Sequence, residues 1–277
     1  MYNQLMVEEI IKKGLIEDIN YTDITTDLLI EEDSISEAVM TAKESGVVAG
    51  LKVAETVFKL LDGQIDFQAL KSDGDQVAQG EDLSLVKGKT RTILKGERLA
   101  LNLIQRMSGI ATKSREYAEL VKGTKTRITD TRKTTPGLRI LEKYAVRVGG
   151  CHNHRFNLSD AVMIKDNHIE AVGGITKAIE KARLAIPHTV KIEVEVESLV
   201  QLKEALAAKA DIIMLDNMDL ELMKKAVEIT RGRAILEASG KITKERIKDI
   251  AAIGVDVISV GALTHSVRAM DISLNII

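Results

Sequence analysis

The sequence is poor in the residues that nucleic-acid-binding and secreted proteins use. Of its 277 residues, 3% are aromatic, none is tryptophan and one is cysteine. Few aromatic rings leave few platforms for base stacking, and a net charge of −2 gives no basic surface for phosphates. The lone Cys151 cannot form a disulfide within the chain, which is typical of a reducing compartment. We therefore expect a cytoplasmic protein that does not bind nucleic acid.

Proline and long uncharged runs are also scarce. The chain has two prolines and no low-complexity tract, which argues against long disordered linkers. The N-terminal stretch "MYNQLMVEEIIKKGLIEDIN" mixes acids and lysines into its apolar residues, so it does not have the pattern of a signal or transit peptide. No uncharged stretch approaches the length of a membrane span. The sequence predicts a folded chain that does not associate with a membrane.

The sequence pattern changes near Lys95. Residues 34–94 contain short β-like runs, with Gly74 and Gly80 at turn positions. Between residues 99 and 121 apolar residues recur at spacings of three and four, which predicts a helix. We expect a β-rich first domain and a domain boundary along that helix.

After residue 125 the chain alternates strand-like and helix-like segments. The candidate strands are 126–131, 161–166, 189–197, 211–217, 234–239 and 255–263. Such βα repeats indicate a parallel barrel or a doubly wound sheet. Polar or glycine residues stand at the end of each strand, and the strand ends of a barrel converge on one mouth. This position favours the barrel.

A group of cationic residues surrounds the turn in "DTRKTTPGLR" and continues in the segments after it. Its members are Arg132, Lys133, Arg139, His154, Arg155 and Lys165. A guanidinium binds a carboxylate through two parallel hydrogen bonds, so several cations together suit a ligand with more than one carboxylate. A solvated charged surface is the alternative. The charges flank proline and glycine turns instead of repeating along a helix, which favours a binding site.

Other strand ends carry residues that suit magnesium and phosphate. Glu195 and Asp216 supply the hard oxygen ligands that Mg²⁺ accepts when it is shared with a polyphosphate. A second set suits a phosphate group, because small residues let backbone N–H groups approach it and barrels often bind phosphate after their last strands. That set is Ser239, Gly240, Gly261 and His265. Together these features indicate transfer of a sugar phosphate to a carboxylated acceptor.

Several segments closely resemble one enzyme family. They are "DTRKTTPGLR", "EKYAVRVGG", "NHR", "IKDNH", "EVEVE", "MLDN", "EASG" and "GVDVISVGALTHS", which lie in order between Glu97 and Ser266. The ordered set resembles the quinolinate phosphoribosyltransferase family. The resemblance implies an N-terminal α/β sandwich over residues 1–110, to which the tail 267–277 returns. It also implies an incomplete, seven-stranded α/β barrel of the TIM type over residues 111–266.

The resemblance further implies a reaction and an assembly. The family transfers the phosphoribosyl group of phosphoribosyl pyrophosphate to quinolinate, with decarboxylation. The products are nicotinate mononucleotide, pyrophosphate and carbon dioxide, in the synthesis of NAD. The implied cofactor is Mg²⁺, and the implied assembly is a homodimer, or a set of dimers, with shared active sites.

The motifs also transfer roles to individual residues. The implied quinolinate ligands are Arg132, His154, Arg155 and Lys165, with Arg98 supplied by the neighbouring subunit. The implied phosphoribosyl pyrophosphate ligands are Lys133, Glu195, Asp216, Ser239, Gly240, Gly261 and His265. Lys165, Glu195 and Asp216 form the implied catalytic set, and Glu195 and Asp216 hold Mg²⁺ directly or through water.

Two alternatives remain open. The first is an aldolase-like lyase. In such an enzyme Lys165, at the end of a strand, would form a Schiff base with a carbonyl substrate. A non-catalytic relative that only binds an anion is the second alternative. The intact "TRKTTPGLR" and "NHR" segments weigh against it.

Overall fold

The computed structural model describes residues 2–277, in which helices and strands alternate along most of the chain. The helices are α1 Gln4–Asp18, α2 Ile24–Leu29, α3 Leu51–Leu61, α4 Thr90–Leu120, α5 Arg139–Val148, α6 Asp166–Val172, α7 Ile175–Ala185, α8 Leu199–Ala207, α9 Leu220–Thr230, α10 Ile247–Ile253 and α11 Ala262–His265. The strands are β1 Ile35–Ala42, β2 Gly46–Val47, β3 Asp66–Ala69, β4 Gln76–Val77, β5 Asp82–Lys89, β6 Arg127–Thr129, β7 Val162–Ile164, β8 Ile192–Val196, β9 Ile212–Asp216, β10 Ile235–Ser239, β11 Val257–Ser259 and β12 Ile272–Ile276.

The chain forms two compact units. The first contains the chain up to Glu116, together with Lys133–Gly150 and Ala262–Ile277. The second contains Tyr117–Arg132 and Cys151–Gly261. The first boundary between them therefore falls inside α4. The domain limits expected from the sequence, at residues 110 and 266, stay a prediction.

The first unit is built on a four-stranded antiparallel sheet with the order β12-β1-β5-β3. Strand β1 pairs with both β5 and the C-terminal strand β12, and its buried residues alternate along the chain. Helix α3 lies within the region that the sequence predicted to be β-rich, so that expectation was incomplete. Its apolar residues Leu51, Ala54, Val57 and Phe58 recur at helical spacing, and all four are buried.

The second unit contains a six-stranded parallel sheet with the order β6-β11-β10-β9-β8-β7. Each of the six predicted strands contains one of these observed strands. Val194 in β8 and Ile213 and Leu215 in β9 are fully buried, as expected for strands covered on both faces. Strands β6 and β7 are the two edges and do not pair with each other, so the barrel is incomplete, as predicted.

The number of strands differs from the seven implied by the resemblance. Among the described residues, the parallel sheet has six strands, and one isolated parallel bridge lies between Thr129 at the end of β6 and His152. The bridge extends the β6 edge by a single residue pair, and a glycine pair, Gly149 and Gly150, precedes it. No helix among residues 2–277 has the length and hydropathy that crossing a lipid bilayer requires.

Candidate active site

The C-terminal ends of the parallel strands lie along one edge of the six-stranded sheet. In its register, Ser239 at the end of β10 lies beside Asp216 at the end of β9. Glu195 is one residue before the end of β8, and Lys165 directly follows β7. Because the strands are parallel, four of the predicted site residues lie at the C-terminal end of the sheet.

Three of these residues line a cavity of 250 Å³. Lys165 Nζ donates a hydrogen bond to Glu195 Oε2 at 3.0 Å, and Asp216 also lines the cavity. The other lining residues are Asp166, Ile169, Glu197 and Gln201. The lining thus contains four carboxylate groups and one ammonium group. Carboxylate oxygens are the ligands that hard divalent cations prefer, so the donor set suits Mg²⁺.

The turn after β9 is tightly packed. Asn217 has a left-handed backbone with φ 54°. Its N–H donates to Ser239 O at 3.1 Å, and its Nδ2 donates to Asp216 Oδ2 at 2.6 Å. A Cβ on Gly240 would lie less than 3.0 Å from the Oδ1 atoms of both Asn217 and Asp216. Gly240 also has φ 82°, so both its conformation and its surroundings require glycine.

Two arginines of the second unit, Arg132 and Arg155, lie close enough for the charge of one to change the pKa of the other. Arg155 is half-buried and donates from Nη1 to Ala161 O at 3.2 Å, whereas Arg132 is exposed. Burial lowers the pKa of Arg155, and the positive charge of Arg132 lowers it further. The negative charges of Glu193 and Asp160 act in the opposite direction. Two cations held near each other attract anions. A dicarboxylate ligand suits them, because each of its carboxylates can pair with one cation.

A buried aspartate fixes the loop that carries His154. Asp130 is fully buried, and its Oδ1 accepts a hydrogen bond from His154 N–H at 2.9 Å. Its Oδ2 accepts from Asn153 Nδ2 at 2.6 Å. The loop is therefore attached to the residue that follows β6, beside the bridge between Thr129 and His152.

His154 lies between two buried glutamates. Its Nε2 is 3.4 Å from Glu193 Oε2 on β8 and 3.5 Å from Glu237 Oε1 on β10. Burial opposes the charged ring, but the two neighbouring carboxylates outweigh it and raise the pKa of His154 to about 10. Burial also raises the pKa of Glu193. The hydrogen bond from His154 opposes that rise, and the charge of Glu237 adds to it.

These three residues are close enough to share a metal ion, because their ligand atoms lie within 4.8 Å of one another. Arg155 N–H donates to His154 Nδ1 at 2.7 Å, and this contact requires Nδ1 to lack a proton. The two carboxylates favour a doubly protonated ring and the Nδ1 contact favours a neutral one, but both place a proton on Nε2. A metal ion at Nε2 would have to displace that proton. In the structure the triad is held together by the contacts of His154 with both glutamates.

Sequence reasoning did not identify Glu193 and Glu237 as partners of His154. Each is a buried acid in an otherwise apolar strand, in "KIEVEVE" and "AILEAS". Alternate strands of an α/β barrel contribute side chains to a common interior layer. An acid within a strand that is apolar on both faces is the signal that could have identified them.

Three of the predicted site residues, Arg98, Lys133 and His265, belong to the first unit. Arg98 is exposed on α4. The carbonyl of Lys133 accepts a hydrogen bond from Thr264 Oγ1 at 2.7 Å, and His265 Nδ1 lies 2.6 Å from Ser266 Oγ. The roles of these three residues stay predictions.

Arg106 and Glu142 support the turn that carries part of the cationic segment. Arg106 Nη2 donates to the fully buried Glu142 Oε1 at 2.7 Å, and Thr135 N–H donates to Glu142 Oε2 at 3.2 Å. Arg139, the first residue of α5, donates from Nε to Thr134 Oγ1 at 2.9 Å. Sequence reasoning did not identify Arg106, because its partners are distant along the chain.

Cys151 is not suited to nucleophilic catalysis. It is buried, and burial together with the charge of Asp130 raises the pKa of its thiol to about 12. The reactive form of cysteine is the thiolate, which is scarce near neutral pH at that pKa. Its burial is that of a residue that packs in the core.

Two protein-family models match this chain. The model described as quinolinate phosphoribosyl transferase, N-terminal domain, matches residues 23–108, and the corresponding C-terminal domain model matches residues 110–275. Together they cover most of both units.

Curated relatives and solved structures are similar over the full length. A protein of Bacillus subtilis (strain 168) named probable nicotinate-nucleotide pyrophosphorylase (carboxylating) is 46% identical, covering 99% of this chain and 94% of that protein. A protein of the same name from Synechocystis is 43% identical over 99% of this chain and 93% of that protein. The crystal structure of NadC from Streptococcus pyogenes superimposes with a TM-score of 0.95 at 43% identity, covering 100% of this chain and 99% of that one.

Proposed function

This chain belongs to the quinolinate phosphoribosyltransferase family, and from that premise we propose how its residues carry out the family's reaction. The enzyme is a pentosyltransferase of NAD biosynthesis. It transfers the phosphoribosyl group of phosphoribosyl pyrophosphate to quinolinate and forms nicotinate mononucleotide, pyrophosphate and carbon dioxide. The observation that carries this conclusion is the full-length match to relatives that share the activity in their names.

Quinolinate binds to the cationic residues of the second unit. Arg132 and Arg155 pair with its two carboxylates, and Lys165 and His154 complete the pocket. The charge of Arg132 lowers the pKa of Arg155, which supports this proposal because it shows two cations sharing one region. A dianion relieves their repulsion, whereas a single carboxylate leaves one of them uncompensated.

Phosphoribosyl pyrophosphate occupies the strand ends of β8 to β11. Glu195 and Asp216 bind its ribose hydroxyls, and the small residues Ser239, Gly240 and Gly261 receive its phosphate. Lys133 and His265 are the remaining phosphoribosyl pyrophosphate ligands of this proposal. The support comes from Gly240, which directly follows β10 and lies beside Asp216 and Asn217, where both the positive φ and the lack of room for a side chain require glycine.

The bound cation is Mg²⁺ in this proposal. The carboxylates of the acidic cavity, with Glu195 and Asp216 among them, suit a hard divalent ion. When bound, such an ion supplies compensation for the negative charge that grows on the departing pyrophosphate.

The chemistry then depends on positioning and charge. The ring nitrogen of quinolinate forms a bond to the anomeric carbon while the bond from that carbon to the pyrophosphate oxygen breaks. Glu195 and Asp216 stabilise the positive charge that develops on the ribose. The alkylated ring accepts the electron pair released when the carboxylate beside the nitrogen leaves as carbon dioxide, and the ring carbon takes up a proton. No protein nucleophile is required.

The assembly is a homodimer, or a set of dimers, in which each subunit completes the other's active site. Arg98 is the residue supplied across the interface. Its exposure on α4 supports this role, because an exposed guanidinium is accessible to a second subunit. A two-fold axis makes the contact reciprocal.

Two further parts of the proposal concern what the protein does not do and where it acts. The enzyme binds neither nucleic acid nor membrane, which its low aromatic content and balanced charge support. We also place it in the cytoplasm, since a single buried cysteine is typical of a reducing compartment.

A turnover assay with two acids tests the proposed function. Quinolinate labelled with ¹³C in the carboxylate beside nitrogen, phosphoribosyl pyrophosphate and MgCl₂ should yield nicotinate mononucleotide and labelled carbon dioxide, both followed by mass spectrometry. Nicotinate lacks the second carboxylate, so its kcat/KM should be lower by about 10² or more. Comparable kcat/KM values for the two acids would contradict the proposed carboxylate pocket.

The same assay separates the alternatives. An aldolase-like lyase would give no nucleotide and would be trapped at Lys165 by borohydride with a carbonyl substrate. The contact between Lys165 and Glu195 argues against that activity, because the amine that would attack a carbonyl is already paired with a carboxylate. A non-catalytic relative would bind quinolinate without turnover.

A further inference from the structure

Four non-glycine residues in the described part of the chain have a positive φ. Arg231 caps the end of α9 and Lys209 follows α8, and left-handed residues are common where helices end. The other two, Asn217 and Lys241, follow the ends of β9 and β10. Away from helix ends, a left-handed conformation outside glycine is uncommon, and strained residues of this kind cluster at functional sites. The conformation of Asn217 therefore calls for an explanation.

The left-handed backbone turns the Asn217 side chain back toward its neighbour. In a continued strand, residues 216 and 217 would point to opposite faces of the sheet. Here Asn217 Nδ2 donates instead to Asp216 Oδ2 at 2.6 Å. The backbone N–H of Asn217 also donates to Ser239 O, which joins the end of β9 to the end of β10.

The same turn restrains the other oxygen of Asp216. Asp216 Oδ1 and Asn217 Oδ1 both lie against the Cα of Gly240, so close that a Cβ there would overlap them. One oxygen of the carboxylate is hydrogen-bonded and the other is packed over glycine. The carboxylate is therefore held in one orientation before any ligand arrives, and such preorganisation strengthens binding.

We propose that Asn217 is a positioning residue for the phosphoribosyl pyrophosphate site, and that its amide group orients the Asp216 carboxylate. The inference rests on the proposed function of Asp216. The competing explanation is that asparagine is present only because it tolerates a left-handed backbone better than most residues. The two explanations predict different results for a glycine at this position.

Two substitutions distinguish the role of the Asn217 amide group from that of its left-handed backbone conformation. Asn217→Gly keeps the left-handed conformation at no steric cost and removes the amide. Asn217→Asp keeps the shape, removes the donor and places a second negative charge beside Asp216. We expect each to weaken phosphoribosyl pyrophosphate binding about tenfold, as is typical when a group that orients a ligand residue is lost.

Isothermal titration calorimetry of the full chain, with MgCl₂ and without quinolinate, measures that dissociation constant independently of turnover. The KM for quinolinate should stay within about twofold, because the cationic pocket does not include Asn217. Arg231→Gly is the matched control, since it replaces a left-handed residue on α9, away from the strand ends. It should leave both constants unchanged.

Wild-type affinity in Asn217→Gly would overturn the inference and show that the backbone alone matters. Wild-type affinity in Asn217→Asp would show that the donor is unnecessary and would overturn it as well. Circular dichroism and thermal unfolding of both variants check that the fold is retained. If the wild-type chain itself does not bind phosphoribosyl pyrophosphate, the proposed function fails, which is a different result from a loss confined to the variants.

Discussion

Individual side chains of the second unit combine burial with charge. His154 is surrounded by Glu193, Glu237 and the backbone N–H of Arg155, so both ring nitrogens contact the protein. Glu193 is 2% exposed and Glu237 is 3% exposed. A buried charge is tolerated only while its partners remain, and removing one partner is costly. His154 therefore has a structural role beside its proposed role in binding quinolinate.

This role predicts a loss of stability when His154 is replaced. His154→Ala removes the proton donor that lies between Glu193 and Glu237, so two buried carboxylates face each other. We expect the free energy of unfolding in urea to fall by about 3 kcal/mol. Adding Glu237→Gln to His154→Ala should restore part of that loss, because it removes one of the two negative charges.

His188→Ala provides the control for the histidine substitution. His188 is exposed, so its replacement should change the free energy of unfolding by less than about 0.5 kcal/mol. A His154→Ala protein as stable as the wild type would show that the two glutamates do not depend on the imidazole.

At the scale of secondary-structure elements, proposed site residues lie at the C-terminal ends of the parallel strands. Lys165 directly follows β7, and strands β9 and β10 supply largely apolar residues to the sheet and end in Asp216 and Ser239. Because neighbouring parallel strands are in register, these terminal residues lie side by side. The turns after the strands then determine how closely a ligand approaches.

The turn after β10 gives a prediction about Gly240. In Gly240→Ala the added Cβ overlaps Asp216 and Asn217, and alanine is also strained at φ 82°. We expect the dissociation constant for phosphoribosyl pyrophosphate to rise by about tenfold or more, because Asp216 must move. Calorimetry measures this effect, and thermal unfolding should show destabilisation of about 1–3 kcal/mol.

Gly232→Ala separates backbone strain from overlap. Gly232 has φ 74°, but nothing lies within 4 Å of a Cβ placed there. Its replacement should cost stability and leave phosphoribosyl pyrophosphate affinity unchanged. Equal affinities for Gly240→Ala and the wild type would mean that the ligand does not use this turn.

At the scale of the whole molecule, each unit contains some of the residues with a proposed role. Arg132, Lys165 and Asp216 belong to the second unit, whereas Lys133 and Arg98 belong to the first. The proposed dimer adds a further condition, because Arg98 acts on the substrate of the partner. A single subunit is then inactive.

Mixing two inactive variants tests the shared site. Arg98→Ala and Lys165→Ala should each be nearly inactive as homodimers. When they are unfolded and refolded together in equal amounts, about half of the dimers are mixed, and each mixed dimer has one intact site of two. Roughly a quarter of wild-type activity should return.

Native mass spectrometry establishes that mixed dimers form, and turnover of quinolinate measures the recovery. An Arg98 that acts within its own chain would give no recovery, since no site would then contain both intact residues. That result in verified mixed dimers would exclude the shared-site arrangement.

Much of the fold and part of the site follow from local sequence patterns. The six parallel strands could be predicted because most of them are short, largely apolar runs with polar or small residues at or just after their ends. Helix α3 was missed because its segment was grouped with the β-like runs around it, although "LKVAETVFKLL" has helical spacing. The seventh strand came from the resemblance, and the structure has a single bridge between Thr129 and His152 at that edge.

The sequence by itself determined where the strands lie, which polar residues end them and which family the chain resembles, because these features are encoded by neighbouring residues. Only the tertiary structure decided that Glu193 and Glu237 meet at His154. Strands β8 and β10 are separated by β9 in the sheet, and His154 lies on a loop that is distant from both along the chain. Such encounters depend on sheet order and on side chains sharing an interior layer, and no local spacing records either.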